Sequence, residues 1–409
     1  MSPTTIPGTF VIQSPTTSKV VVVNDQRNPP GDAQITYGIT SAGGTFNLRS
    51  TGTVDYEVEW GDGTVERSTS NVLAHTYAAG SYVLKIRTAQ QYVPNFNNST
   101  DEDQITSVAL VSDLGVGTDL TSAWYGANNM TGFDAASGVT SSVINFINTW
   151  RDCSSLTSFP LIDTSSGTSF FYAWTNCNNL TSFPLIDTSS GTNFPATWAN
   201  CTSLTSFPLL DTSSGINFFS TWQNCNNLTS FSQIDTSSGT NFFFAWTNCN
   251  SLTSFPQINT SSGTSFSNTW QNCTSLTSFP QINTSSGTNF PNTWQNCTSL
   301  TSFPQINTSS GTNFTAAWRD CSSLTTFPAN VFDTTGTLIA SAFNNAFANC
   351  ALTAQSVENI LVSLDTNGAT GITLGISGGT NVGQSSWTAA ATTAYNNLIA
   401  KGWTITANP

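Results

Sequence analysis

The chain has 409 residues, enough for roughly two or three domains with a sizeable buried core. Charged residues make up only 8% of it, against about 25% in ordinary globular proteins, and the formal net charge is −13. Nine Lys plus Arg against twenty-two Asp plus Glu argue against binding of nucleic acid or of an anionic membrane surface, and no apolar run is long enough to cross a bilayer.

The first segment, residues 1–44, is rich in Thr, Pro, Gly and Val. We interpret it as an extended N-terminal arm and a candidate anchor, with a short strand at Val20–Val23. The first eleven residues lack a basic region followed by an apolar run, so a Sec signal peptide is not expected.

Residues 45–112 alternate in the manner of β-strands. The motif W-G-D-G-T at Trp60–Thr64 is followed by H-x-Y at His75–Tyr77 and by G-x-Y at Gly80–Tyr82. This pattern resembles the polycystic-kidney-disease (PKD) type of immunoglobulin-like domain. The resemblance implies a β-sandwich that acts as a spacer or an interaction module.

Residues 113–149 hold a degenerate first copy of a repeat that becomes regular further on. Trp124 starts it, Ala127 stands where later copies have Cys, and Met130 and Phe133 follow. The step from Trp124 to Trp150 is 26 residues rather than 24. Stacked repeats need modified end units, so we predict an N-terminal cap here.

Residues 150–350 carry a strict 24-residue repeat without a single insertion over eight copies. Such a period indicates a solenoid or a propeller rather than a mixed globular core. Three residue types keep the period and are predicted to form buried columns. They are Trp150, Trp174, Trp198, Trp222, Trp246, Trp270, Trp294 and Trp318; Cys153, Cys177, Cys201, Cys225, Cys249, Cys273, Cys297 and Cys321; and Phe159, Phe183, Phe207, Phe231, Phe255, Phe279, Phe303 and Phe327.

Each repeat contains signals for three local structures. Leu-Thr-Ser-Phe favours a very short strand that the following Pro interrupts. Phe194, Trp198 and Cys201 are spaced i, i+4, i+7, which predicts a short helical turn. Asp-Thr-Ser-Ser-Gly is typical of a tight turn. We therefore predict a mainly β, or α-β, repeat solenoid of short parallel strands and short helical turns.

The motif N-C-x-x-L-T-S-F-P-x-I-D/N, as at residues 176–187, resembles the bacterial surface-antigen (BspA-like) class of leucine-rich repeats. The resemblance implies a right-handed solenoid with a parallel sheet on one side. It also implies surface and host-attachment roles rather than catalysis, and this class is frequent in phage proteins. Trp replaces the phenylalanine that the family has in its helix.

Residues 351–409 are predicted to form an α/β C-terminal cap. An amphipathic helix is indicated by Val357, Ile360, Leu361 and Leu364. A strand at 371–376, a second helix at 387–401 ended by Gly402, and a last strand at 403–405 follow.

The Cys and Trp columns each allow two interpretations. The thiols could form a metal or disulfide array, but CxxC pairs are absent and nine is an odd number, so buried free thiols are favoured. The Trp column could be an exposed platform that stacks on carbohydrate. Because each Trp shares a face with Phe and Cys, a core role is favoured.

Four repeats have an aspartate at the same position, beginning with Asp163, and the later repeats have Asn259, Asn283 and Asn307 there. The aspartates could bind Ca²⁺, or they could cap turns, a role that Asn fills equally well. The change to Asn favours turn caps. Asn200, Asn272 and Asn296, like the three Asn just named, start glycosylation sequons and are expected to be unmodified. The acidic row comprises Asp163, Asp187, Asp211 and Asp235.

The sequence contains no catalytic motif, and we expect a non-enzymatic protein without a cofactor. Its only histidine, His75, lies in the PKD-like motif. Between Asp152 and Trp318 there are five Asp and no Lys or Arg, so the surface is predicted to be neutral, with little electrostatic steering.

The most favoured function is an external bacteriophage protein: a head fibre, a decoration protein or a tail-fibre adhesin on the virion exterior. The alternative is a leucine-rich-repeat adhesin of the bacterial cell surface, and a polysaccharide-degrading enzyme ranks lowest. Expected partners are other virion or surface proteins, bound through the N-terminal region, and a host glycan or host surface protein. Binding to nucleic acid and insertion into membrane are not expected.

Overall fold

The computed structural model describes residues 35–52, 54–88, 92–97, 100–111 and 119–409. The described part is mostly β, with a sheet of mixed strands, two α-helices and a periodic pattern of aromatic residues and cysteines. The predicted arm up to residue 34, including the strand predicted at Val20–Val23, lies outside the described residues.

The N-terminal region forms one seven-stranded sheet with the order β3-β2-β4-β1-β6-β7, and β5 also pairs with β1. All pairs are antiparallel except β6 with β7. The strands are β1 (Ile35–Thr51), β2 (Tyr56–Glu59), β3 (Val65–Ser68), β4 (Val72–Thr88), β5 (Val93–Pro94), β6 (Ile105–Leu110) and β7 (Gly132–Ala135).

One boundary in this region differs from the sequence-based prediction. Strand β1 begins at Ile35, inside the segment assigned to the arm, because residues 35–42 pair with β4 and a Thr- and Gly-rich composition does not preclude pairing. The strands are joined by continuous pairing through β1 and β4, and their arrangement as a two-layer sandwich stays a prediction. Strands β1 and β4 are 17 residues long, and β1 pairs with β6 near its start and with β5 at its end.

Each repeat is joined to the next by backbone hydrogen bonds. The N–H of Phe170 donates to the carbonyl of Asn193 at 2.9 Å, and the N–H of Trp174 donates to that of Thr197 at 2.9 Å. The very short parallel strands predicted at Leu-Thr-Ser-Phe are present as single-residue bridges in some of the repeats, such as Ser206 with Ser230. A more regular series of parallel bridges, such as Ser169 with Asn193, lies just before the buried Phe, where no strand was predicted.

The predicted helical turn is wrong, although the residues it was meant to bury are buried. Along 194–201 alternate N–H groups donate to the next repeat, and the others donate to the carbonyl three residues back. Ala196 and Asn200 have φ of 49° and 60°, in the left-handed region. An α-helix would direct every N–H to the carbonyl four residues back. Consecutive turns bury Phe194, Trp198 and Cys201 while leaving every second N–H free to join the repeats.

Equivalent aromatic rings stack from one repeat to the next. The ring centroids of Trp174 and Trp198 are 5.8 Å apart with 2° between the planes, and those of Phe170 and Phe194 are 5.4 Å apart. Phe183 meets Trp174 edge to face at 4.9 Å. Every Trp of the column is fully buried, in agreement with the core interpretation. Among the described residues, the indole N–H groups from Trp150 to Trp318 have no hydrogen-bond partner.

The degenerate first repeat connects the sheet to the regular repeats. Trp124 stacks on Trp150 at 5.8 Å, and the N–H of Leu120 donates to the carbonyl of Asn145 at 2.9 Å. Phe133, in β7, stacks on Phe159 at 5.5 Å. Because β7 also pairs with β6, this segment continues both the sheet and the aromatic columns.

The C-terminal elements follow the predicted order. They are α1 (Ala354–Asn367), β8 (Thr373–Ile376), α2 (Ala389–Ala400) and β9 (Thr404–Ala407), with β8 parallel to β9. Thr353 caps α1 by accepting a hydrogen bond from the N–H of Ser356, and Gly368 ends the helix with φ of 81°. In the part of the chain that is described, neither helix has the length and hydropathy needed to cross a membrane.

Candidate functional site

The nine cysteines are free and buried. Each Sγ lies near the carbonyl oxygen of a Trp, as Cys177 does with Trp150 at 3.3 Å. Burial raises the pKa of the thiols throughout the column, to about 12 for Cys225 and Cys273. A thiol is a nucleophile or a metal ligand only as thiolate, so the column is chemically inert while the repeats are folded.

The acidic row caps turns. Oδ1 of Asp187 accepts hydrogen bonds from the N–H of Ser189 at 3.0 Å and from its hydroxyl at 2.7 Å. These two bonds, the hydroxyl first, lower the pKa of Asp187. Asn283 accepts the same backbone bond from Ser285 at 3.0 Å. The same cap occurs at Asp163, Asp211, Asp235, Asn259 and Asn307.

A second polar column is an amide ladder, defined by Asn176, Asn200, Asn224, Asn248, Asn272 and Asn296. Nδ2 of Asn200 donates to Oδ1 of Asn176 at 2.6 Å, and the later members repeat this bond. Nδ2 of Asn176 donates to Asp152, which ends the ladder with a carboxylate. All six residues have φ near 60°, a conformation that Asn tolerates well. Three of the six, at 200, 272 and 296, are the sequon residues, and their amides serve as rungs of the ladder.

In the N-terminal sheet, His75 belongs to a small structural cluster. Its ring stacks on Trp60 at 4.5 Å, and its Nε2 lies 2.8 Å from Oδ2 of Asp62. The hydroxyl of Thr64, its backbone N–H and His75 lower the pKa of Asp62 to about 2. The cluster thereby ties the hairpin between β2 and β3 to β4.

One outer column changes character along the repeats. It is strongly exposed leucine in the first three repeats and glutamine in the next four: Leu161, Leu185, Leu209, Gln233, Gln257, Gln281 and Gln305. Beside the glutamines lies an open groove of about 480 Å³, lined also by Asp235, Asn259 and Asn283. Its polar lining comes almost entirely from uncharged amides.

A further surface was missed by the sequence-based reasoning. The two residues after each buried Phe of the 170, 194, 218 series differ from repeat to repeat, whereas most other positions are nearly constant. Three repeats place aromatic residues there, and we call this set the aromatic strip: Phe171, Tyr172, Phe219, Phe243 and Phe244. All five are half-buried.

The rings of the aromatic strip contact one another. Phe171 and Tyr172 have centroids 4.1 Å apart, as do Phe243 and Phe244, and Phe219 lies 5.6 Å from Phe243. The repeat between the two groups carries Pro195 and Ala196 at these positions, so small residues separate them. Aligning the eight repeats with one another would have revealed the strip, because its variation stands out against the constant columns.

Arg151 lies at one end of the aromatic strip. Its guanidinium carbon lies 4.7 Å from the ring centroid of Tyr172 and 5.1 Å from that of Tyr125. Its Nε lies 3.7 Å from a carboxylate oxygen of Asp152. Its Nη1 also donates to Oδ1 of Asn148 at 3.4 Å, so two rings, one carboxylate and one amide surround the guanidinium.

No group of three or more His, Cys, Asp or Glu side chains suited to a metal ion occurs within the described ranges. The sequence matches no protein-family model, and no curated protein or solved structure matches it either.

Proposed function

We propose that the chain is a non-enzymatic external structural and adhesion protein, and specifically a surface protein of a bacteriophage virion. In this proposal the repeats wind as a leucine-rich-repeat-like solenoid that projects from the particle. The N-terminal region serves as a PKD-like spacer and contacts other virion proteins. The C-terminal elements cap the far end.

The observation that carries the proposal is the neutral, self-stacking character of the repeats. Backbone bonds and aromatic columns join each repeat to the next, and the sequence from 152 to 318 has no Lys or Arg. Such a surface is solvated by hydroxyl and amide groups and has few charges to attract unrelated polyions. A part that is permanently exposed outside a particle or cell benefits from both properties.

Limited proteolysis tests whether the repeats form a rigid stack. The repeats contain no trypsin site between Asp152 and Trp318, so a broad-specificity protease such as proteinase K is the useful probe. Because each N–H bonded to a neighbouring repeat must be released before cleavage, we expect 150–350 to resist the protease until the protein is denatured. Rapid digestion of the native protein within this range would contradict a rigid stack.

The location is tested by immunogold electron microscopy with an antibody against residues 150–350. We expect label on the outside of purified phage particles, on the head or on the tail, and none after the antibody is absorbed with the purified protein. Label on intact bacterial cells and none on particles would establish the alternative, a cell-surface adhesin. Absence of label from both would overturn an external role.

The non-enzymatic part of the proposal is tested separately. Purified protein is incubated with host surface polysaccharide, and new reducing ends and chain length are measured. We expect neither to change. Depolymerisation by the purified chain would place the protein among polysaccharide-degrading enzymes instead.

A further inference from the structure

The repeats provide an internal alignment that separates structural from functional residues. Columns that hold the repeats together keep the same residue from copy to copy, as the Trp, Cys and Phe columns do. The aromatic strip occupies positions where other copies have Asn, Ser, Thr, Pro, Ala or Ile. The fold therefore has no general need for aromatic rings at these positions.

Backbone conformation strengthens this argument at two members of the strip. Tyr172 and Phe244 have φ of 56° and 59°, in the left-handed region. The equivalent residues of three other repeats are Asn148, Asn268 and Asn292, with φ of 53°, 58° and 54°. Asn tolerates this conformation far better than a bulky aromatic residue does. The repeat imposes this conformation on whichever residue stands there, since Ala196 and Ser220 also adopt it, with φ of 49° and 53°. The bulky rings of Tyr172 and Phe244 are thus present against the local preference for Asn, which points to a role in binding.

We propose that the aromatic strip binds a neutral polysaccharide, whose sugar rings stack on Phe171, Tyr172, Phe219, Phe243 and Phe244. This inference rests on the proposed adhesive function and names its ligand class. The C–H faces of pyranose rings are apolar and pack on aromatic faces, while their hydroxyl groups need uncharged hydrogen-bonding partners around the rings. Both requirements are met on this surface.

The hydrogen-bonding partners are the uncharged amides that contact the strip itself. Oδ1 of Asn217 accepts a hydrogen bond from the N–H of Phe219 at 3.1 Å, and Oδ1 of Asn241 accepts one from the N–H of Phe243 at 3.1 Å. Nδ2 of Asn241 also donates to Oδ1 of Asn217 at 3.2 Å. An amide nitrogen has two N–H groups, so Asn241 keeps a second donor for the hydroxyl groups of a sugar.

The charge of the surface favours a neutral ligand over an ionic one. No Lys or Arg occurs between residues 152 and 318, so the strip itself contains no cation to bind an anionic polymer. The one guanidinium beside it, that of Arg151, is already held by two rings and Asp152. Binding is therefore expected to depend on ring contact and to be insensitive to salt.

A protein partner fits this surface less well. The most exposed large apolar side chains are leucines on another column, such as Leu185 with 63% of its surface exposed, whereas the strip consists of half-buried rings. Protein interfaces use apolar anchors that fill pockets in the partner. Half-buried rings in a row instead offer shallow stacking faces, which suit flat sugar rings.

The spacing of the strip sets the length of ligand it could engage. Phe171 and Phe219 are two repeats apart, and stacked repeats joined by strand-like bonds are separated by about 4.8 Å. The two aromatic groups are thus about 10 Å apart along the stack. Several consecutive sugars of one extended chain would be needed to contact both groups.

The test uses the full chain and its Tyr172→Asn/Phe244→Asn variant. Each substitution installs the residue that sister repeats have at the same position, so the fold should tolerate it. The control is Leu185→Gln, which removes an exposed apolar side chain elsewhere and installs the residue that later repeats carry. Binding is measured by affinity electrophoresis in gels containing soluble glucan, mannan, galactan or glycol chitin, at low and at high salt.

We expect retardation of the wild type and of Leu185→Gln by at least one polymer at both salt concentrations. The double variant should bind about tenfold more weakly, since two stacking rings are lost. Its melting temperature should stay close to that of the wild type, because relief of the left-handed strain offsets the lost contacts of Tyr172 with Phe171 and Arg151. Full retention of binding by the double variant would overturn the proposal. So would failure of the wild type to bind any of the polymers, or binding that disappears at high salt.

Other occupants of the strip are distinguished in the same experiment. Binding of polyproline peptide by the wild type but not by the double variant would assign the strip to a protein ligand. Self-association lost in the double variant, measured by analytical ultracentrifugation, would assign it to a second copy of this chain. Either result without polysaccharide binding overturns the inference, while immunogold labelling of particles would still support the proposed external function.

Discussion

The thiol column predicts a steep loss of stability in alkaline solution. Each of the nine cysteines is buried, and burial raises the pKa of its thiol well above the ordinary value of 9.0, to about 12 at Cys225 and Cys321. In the unfolded chain the same thiols ionise near their ordinary pKa. The neutral thiol is therefore favoured by folding, and its contribution is complete below pH 9 and is lost as the pH rises above it.

The size of the effect follows from the number of thiols. One pH unit above the unfolded pKa, each thiol that stays neutral in the folded state reduces stability by roughly 1 kcal/mol. When the repeats unfold together, nine thiols reduce it by on the order of 10 kcal/mol at pH 10, and by well under 1 kcal/mol at pH 8. The total stability of a domain is typically about 5–15 kcal/mol, so the repeats should unfold near pH 10.

Circular dichroism melts from pH 7 to pH 10 measure this loss, and a thiol reagent added to native protein at pH 8 measures access to the column. We expect a melting temperature that is nearly constant up to pH 8 and then falls sharply, with no labelling before unfolding and nine labelled thiols afterwards. Cys225→Ala should reduce the alkaline slope by about one ninth. A melting temperature that does not change up to pH 10, or rapid labelling of the native protein, would refute the reasoning.

Three further predictions concern the columns. Trp222→Ala should destabilise the repeats by about 3–5 kcal/mol, measured by urea unfolding. Trp222→Phe should cost clearly less, because Phe347 stacks at the equivalent place on Trp318 and no indole hydrogen bond is lost. Equal losses of stability in the two variants would contradict this. Gly239→Ala should destabilise by about 1–3 kcal/mol, since its Cβ would lie 2.6 Å from a buried Phe ring, and an unchanged melting temperature would argue against that packing. Asp187→Asn should keep the turn cap and lower the melting temperature at pH 7 only slightly, because the neutral amide lacks the small stabilisation that the lowered pKa of Asp187 implies for the carboxylate. The variant should also lose the matching decrease in stability that the wild type shows as the pH falls below about 4. A melting shift on addition of Ca²⁺ that Asp187→Asn abolishes would instead restore the metal interpretation.

The buried columns could be predicted from the sequence because periodic spacing reports which side chains share an environment. The burial of Trp198 and Cys201 followed from their recurrence every 24 residues, whatever the backbone between them does. The helices of the C-terminal cap followed from apolar spacing together with end signals, such as Thr353 and Gly368.

The path of the backbone could not be obtained in the same way. Phe194, Trp198 and Cys201 have helical spacing, yet the N–H groups of Ala196 and Asn200 donate to the next repeat. The sequence of a single repeat does not show whether an N–H bonds within that repeat or to the next one, because the acceptor in the second case lies in another copy. The limits of β1 were missed for a related reason, since pairing with β4 rather than composition decides where that strand begins.

The aromatic strip was not predicted, because the sequence-based prediction rested on the recurring Trp, Cys and Phe residues. The strained conformation of Tyr172 and Phe244 is visible only in coordinates, but their departure from Asn148 and Asn268 is visible in the sequence. In a repeat protein the constant positions describe the scaffold, and the exceptions are the places to look for recognition.

The junction between repeats has a consequence for the length of the molecule. Phe170 bonds to Asn193 in the way that Phe194 bonds to Asn217, so the upper surface of one unit fits the lower surface of any other. In the proposed solenoid, removing or adding 24 residues in the middle would preserve the junctions between repeats and would change the height by a single layer of about 4.8 Å. The length of such a molecule can therefore change in equal steps of one repeat, while the backbone bonds between neighbouring repeats stay the same.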